Sequence, residues 1–142
     1  MAATTARIAW VENALFVGES GSGHTVTMDG APDMGGRNLG ARPMEMVLIG
    51  MGGCTAIDVV SMLKKQRQDI REIVVELAAE RADDHPRVFT DVKLIYRVRG
   101  KGLNRALIER AVTLSDEKYC SATAMVRKSA KVTHEIVLEE VA

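Results

Sequence analysis

Between Met44 and Leu63 apolar side chains fall on nearly every side of the chain: Met46, Val47, Leu48, Ile49, Met51, Ile57, Val59, Val60, Met62 and Leu63. A segment with no broad polar stripe predicts a helix buried on most of its faces, and this constrains the fold more than any other feature. Pro43 suits the first turn, where its missing N–H would be unpaired anyway. Glu45 stands at the positive end of the helix dipole, and Lys64, Lys65 and Arg67 at the negative end. The helix is expected over residues 43–67. No uninterrupted run of about eighteen apolar residues occurs, so no membrane span and no membrane partner are expected.

Around this helix the patterning changes period. Residues 5–29 hold short apolar stretches broken by Glu12-Asn13 and by the run from Gly18 to Gly23, which predicts a small antiparallel meander. Residues 30–42, rich in glycine, read as a loop of the length that often carries function. Within 71–99, Ile73, Val75, Leu77 and Ala79 alternate with Val74, Glu76 and Ala78. Val88, Val92, Leu94, Tyr96 and Val98 then alternate with Asp91, Lys93 and Arg97, as in a half-buried antiparallel sheet. Leu103, Leu107, Ala111 and Leu114 recur at helical spacing over 103–118. A short segment over 119–129 carries Cys120 at or just before a helix start, and Val132, Ile136 and Leu138 mark a final strand over 130–141. The 142 residues therefore predict one α+β domain.

Composition removes several functions. Nineteen Lys+Arg balance nineteen Asp+Glu, and aromatics are 4% of the chain. Neither a cationic surface for phosphates nor a base-stacking platform is present, so nucleic acid is not an expected partner. The N-terminal residues lack a signal-peptide pattern, and a cytoplasmic location is expected. His24, His85 and His134 are scattered without ligand spacing, so no metal is expected. His134, between Val132 and Ile136, reads as a structural histidine. The segment Gly18–His24 lacks the Lys-Ser/Thr ending of a phosphate loop and reads as a hairpin turn.

The two cysteines are the candidate chemistry. Cys54 and Cys120 lie 66 positions apart, outside any CxxC pair, and a structural disulfide is not expected in a reducing compartment. Cys54 sits inside the apolar helix, preceded by Gly50, Gly52 and Gly53, each costing about 0.8–1 kcal/mol relative to Ala in a helix interior. These glycines serve either tight packing or close approach of a substrate, and the pattern alone leaves both open. A cysteine in an apolar helix is by default a small hydrophobe. Asp58, one turn on, would oppose a thiolate in the same pocket, so a cation is needed. Arg37 and Arg42 are the candidates, and both also fit as solvated loop residues. Cys120 follows Lys118-Tyr119 at a helix start, a setting that lowers a thiol pKa, and it fits equally as a half-exposed structural residue.

Two motifs carry a family resemblance. Pro43-Met44-Glu45-Met46-Val47-Leu48 leading to Gly53-Cys54-Thr55-Ala56-Ile57-Asp58-Val59-Val60, with Tyr119-Cys120-Ser121-Ala122-Thr123 downstream, resembles the OsmC/Ohr family of osmotically inducible and organic-hydroperoxide-resistance proteins. The wording around both cysteines is most like its YhfA-type OsmC-like branch. The resemblance implies an OsmC-like fold, with antiparallel sheets packed on the long helix in an intertwined homodimer. It implies a thiol peroxidase in which Cys54 is the peroxidatic thiolate and Cys120 the resolving thiol. Arg37 matches the cation before the helix and Glu45 the carboxylate that orients it, one residue later than the family places it. Gly50, Gly53, Val47 and Met51 would wall a pocket for an organic hydroperoxide. No cofactor is implied, and the reductant would be a dithiol, which the family suggests is lipoyl-bearing. The alternative from another class is a dimeric module that binds a small apolar molecule with its thiols only lining the site.

Overall fold

A computed structural model describes residues 3–142. The chain forms two compact units, one ending at Leu48 and one spanning Ile49–Ala142.

In the first unit β1 (Ala6–Glu12), β2 (Leu15–Ser20) and β3 (Thr25–Met28) form an antiparallel meander. Asn13 takes a positive φ in the turn between the first two, and its carbonyl accepts the Trp10 indole N–H at 2.8 Å. The glycine-rich loop that follows is not irregular throughout. A 3-10 turn covers Pro32–Met34, and Met28 bridges Ala41. Its organiser is Asp29, only 2% exposed. The Asp29 carboxylate accepts backbone N–H bonds from Gly30 at 2.9 Å, Arg37 at 3.1 Å and Leu39 at 3.2 Å. Burial on its own would raise the Asp29 pKa, but these three donors and the nearby Arg37 charge outweigh it and hold it below the usual carboxylate value.

The long helix α1 (Pro43–Lys65) opens with Glu45 accepting the Arg42 backbone N–H at 2.8 Å. In the second unit β4 (Asp69–Arg81) pairs antiparallel with β5 (Phe89–Lys101), and β6 (Lys131–Glu140) adds to the other side of β5. That last pairing is parallel, which corrects the all-antiparallel expectation. The chain from β5 to β6 runs through α2 (Arg105–Leu114), a π-helical turn (Ser115–Tyr119) and α3 (Ser121–Val126), and such a crossover returns the strand in the direction it left. Helix α2 starts at Asn104, whose side chain accepts the Leu107 N–H at 3.2 Å.

Val92, Leu94, Tyr96 and Val98 of β5 are buried with Ile108, Ala111 and Val112 of α2. Val88, expected on the same inward row, is exposed, and Phe89 is buried in its place. The pairing steps from Glu80 with Asp91 to Arg81 with Phe89, so a bulge at Thr90 reverses the alternation. A second correction concerns α1. Within one chain only the stripe Met51, Gly52, Thr55, Val59 and Leu63 is fully buried, while Ile57 is 73% exposed. By length and composition α1 alone would suffice to cross a membrane. Its buried stripe instead carries the contacts of a core helix, with the Thr55 hydroxyl bonded to Tyr96 of β5 at 2.8 Å.

Candidate functional site

The second unit brings the two cysteines together. Cys54 lies half-buried in the middle of α1, and Cys120, 2% exposed, occupies the position just before α3. Both thiols are free, and Cys54 lies near enough to Cys120 to help push the Cys120 thiol pKa up. The π-helical turn makes this possible. The Cys120 N–H reaches back five residues to the Ser115 carbonyl at 2.8 Å, and this wider turn directs both Ser115 and Cys120 inward. The expected uninterrupted helix over 103–118 ends at Leu114 for that reason.

Cys120 Sγ accepts the Thr123 hydroxyl at 3.0 Å and the Thr123 N–H at 3.4 Å, while its own S–H faces the Met51 carbonyl at 4.0 Å. Burial pushes its pKa up; the Thr123 hydroxyl and N–H pull it back in part, and Cys54 pushes it up again. The net shift is upward, so Cys120 is a thiol at neutral pH, opposite to the lowering expected from Lys118 and a helix start. Lys118 is engaged elsewhere, its Nζ 5.2 Å from the centre of the Tyr119 ring.

The three glycines before Cys54 divide by direction. A Cβ on Gly52 would come within 2.8 Å of Leu77 Cδ1, so this glycine lets α1 approach β4. A Cβ on Gly50 or Gly53 would meet nothing within 4 Å. These two stand four and one positions before Cys54 and leave space beside it. Packing and approach are thus both served, by different residues.

Behind the cysteines runs a buried polar chain that the linear pattern did not reveal. Tyr96 Oη lies 2.8 Å from Thr55 Oγ1, which lies 2.8 Å from Ser115 Oγ, which donates to Asp58 Oδ2 at 3.0 Å. Because the carboxylate accepts the Ser115 proton, Thr55 must donate to Ser115 and Tyr96 to Thr55. Burial, only partly offset by the Thr55 hydrogen bond, raises the Tyr96 pKa to about 12, with Asp116, Cys120 and Asp58 adding to the rise. The phenol therefore stays neutral and keeps donating. Asp58 is committed to Ser115, which explains its place one turn after Cys54. A serine and a threonine on separate helical segments gave no local signal of meeting.

The remaining expected residues are placed as follows. Arg37 forms an exposed ion pair with Glu12 at 2.6 Å. Glu45 holds the Arg42 N–H and so caps α1. Val47 is exposed, but Met51 is completely buried and belongs to the core stripe rather than to an open pocket wall. It lies one turn before Thr55, on the side of α1 that faces inward. His134 is exposed, with its ring edge-on to Tyr96 at 6.2 Å, rather than enclosed in the core. Among the described residues no group of three His, Cys, Asp or Glu side chains is placed to hold a metal ion.

Two small three-stranded sheets, one long apolar helix and a cysteine on that helix beside a second on the crossover define an α+β protein of OsmC-like architecture. Residues 35–135 match the family model described as OsmC-like protein, and the chain belongs to that family. It is 48% identical over 132 residues to Protein YhfA of Escherichia coli strain K12, covering 91% of this chain and 93% of that one. A crystal structure of a hypothetical protein from Aquifex aeolicus VF5 superimposes with a TM-score of 0.82 at 30% identity, over 99% of this chain and 100% of that one. An organic hydroperoxide resistance protein OsmC from Legionella pneumophila shares the fold, with a TM-score of 0.68 at 16% identity over 96% and 98% of the two chains.

Proposed function

We propose that this chain is a cysteine-based peroxidase that reduces organic hydroperoxides, working as a homodimer. What carries the reading is the meeting of Cys54, open on its Gly50 and Gly53 side, with a buried Cys120 that is protonated at neutral pH. Cys54, as thiolate, attacks the distal peroxide oxygen; the O–O bond breaks, an alcohol leaves, and the cysteine becomes a sulfenic acid. Cys120 displaces water from that sulfur and closes a disulfide. A dithiol then returns both thiols by exchange; by resemblance to the family it is lipoyl-bearing. Arg37 and Glu45 keep, by the same resemblance, the roles of cation and orienting carboxylate. The exposed Glu12 pair holding Arg37 is worth at most about 1 kcal/mol and does not lock the guanidinium away. Exposed Ile8, Trp10 and Val11 along β1 support a second copy covering that strand.

Cumene hydroperoxide tests this directly. One equivalent should consume two thiols per chain without crosslinking chains. Cys54→Ser should abolish turnover, whereas Cys120→Ser should halt after a single turnover with a trappable sulfenic acid. Full turnover by Cys54→Ser would remove the assignment.

A cavity of about 480 Å³ in the first unit, lined by Ile8, Ala14, Phe16, Met28, Met34 and Pro43 among others, favours the second reading, a module binding a small apolar ligand. Two unreacted thiols after peroxide, with retained binding of a fatty-acid probe, would select it.

A further inference from the structure

The disulfide chemistry proposed above has two possible directions of reduction, because an incoming thiolate can attack either sulfur. We propose that Thr123 sets the direction: the reductant attacks Cys54 Sγ, and Cys120 departs as a thiolate received by the Thr123 hydroxyl.

Access is the first reason. Displacement at sulfur needs the nucleophile behind the attacked atom, in line with the bond that breaks. Cys54 is half-buried, and the two glycines at its side, Gly50 and Gly53, leave empty space where side chains would stand. Cys120 is 2% exposed and closed in by Thr123 and the Met51 carbonyl. Only the Cys54 side has room for an approaching reductant.

The leaving group is the second reason. Exchange is faster when the departing sulfur is better able to carry charge, and a buried thiolate without donors is strongly disfavoured. Thr123 is itself 1% exposed, and among the described residues Cys120 Sγ is the one hydrogen-bond partner of its hydroxyl, at 3.0 Å. The Thr123 N–H at 3.4 Å points to the same atom. A hydroxyl binds a disulfide sulfur weakly and a thiolate strongly, since the second bond is charge-assisted. The contact therefore tightens as the S–S bond opens, which is the condition for accelerating that step.

In the first step a thiolate of the dithiol bonds to Cys54 Sγ, and the electron pair of the broken bond goes to Cys120. In the second, the other thiol of the reductant, deprotonated, attacks its own mixed-disulfide sulfur. The reductant leaves as a cyclic disulfide, Cys54 as a thiolate, and Cys120 takes up the released proton. Two electrons pass from the dithiol to the protein.

The test uses the full chain bridged with diamide, so that it does not depend on peroxide being a substrate. Mixed disulfide formed with the monothiol glutathione, with the freed cysteine alkylated at once by iodoacetamide and the adduct mapped by peptide mass spectrometry, should lie on Cys54. Thr123→Val should slow reduction of the bridge by dithiothreitol about tenfold, the loss expected for one hydrogen bond to a charged group, and Thr123→Ser should restore it. A merely structural threonine would not be rescued selectively in the reduction rate while thermal stability of the two variants stays matched. Trapping on Cys120, an undiminished rate in Thr123→Val, or failure of diamide to bridge the pair would each overturn the proposal. A chain that diamide bridges and hydroperoxide does not would remove the peroxidase reading and leave the role of Thr123 standing.

Discussion

The two units of the chain solve the problem of burial in different ways. Every fully buried large apolar side chain, from Met51 through Val112, belongs to Ile49–Ala142. Among the described residues up to Leu48 no large apolar side chain is fully buried, and Ile8, Trp10 and Val11 are exposed along β1. The smaller unit keeps its long loop in shape with one carboxylate, Asp29, that collects three backbone N–H groups. The larger unit relies on apolar packing around a sheet. About fifty residues are too few to enclose a core of their own, so a polar organiser stands where apolar contacts are lacking.

This contrast predicts unequal responses to the same kind of change. Leu63→Ala should cost about 2–5 kcal/mol in chemical denaturation, whereas Ile8→Ala should cost less than about 1 kcal/mol. Equal costs would break the contrast. A cost at Ile8 that depends on protein concentration would sharpen it, since burial would then come from a second copy. A smaller difference separates two neighbouring glycines within α1. Gly53→Ala should stabilise by about 0.5–1 kcal/mol through helix propensity. Gly52→Ala should forfeit that gain against Leu77 and fall below it by about 1–2 kcal/mol, as thermal melting would show.

The smallest effect is local and depends on pH. The Asp29 carboxyl titrates lower in the folded protein than in an unfolded chain, so folding favours its ionised form. Its contribution is complete above the ordinary carboxylate range and disappears as pH falls through that range toward its folded value. Proteolytic nicking within residues 30–42 should therefore rise on acidification before the rest of the chain yields. Asp29→Asn should show raised nicking already at neutral pH and little further change with acid. An acid response unaltered in that variant would transfer the role to another group.

Much of this was readable in advance where it rests on period. The alternation at Ile73–Ala79 survives residue for residue in β4, and the apolar run after Pro43 is a helix. Both cysteine motifs were visible as well, because their neighbours are short-range. The bulge at Thr90, which exchanges Val88 for Phe89, was not, because an extra residue is defined by its partner strand. Nor was the line from Tyr96 through Thr55 and Ser115 to Asp58, whose members lie 41, 60 and 57 positions apart in its successive bonds.

The order of elements, the helical and extended periods and the presence of two thiols follow from the amino-acid sequence alone, because local side-chain spacing selects among a few backbone forms. Tertiary structure decided the parallel course of β6, which of three glycines packs and which leave room, and the burial that keeps Cys120 protonated. Each of those depends on what lies across space from a residue, and distance through space is not written in the neighbours along the chain.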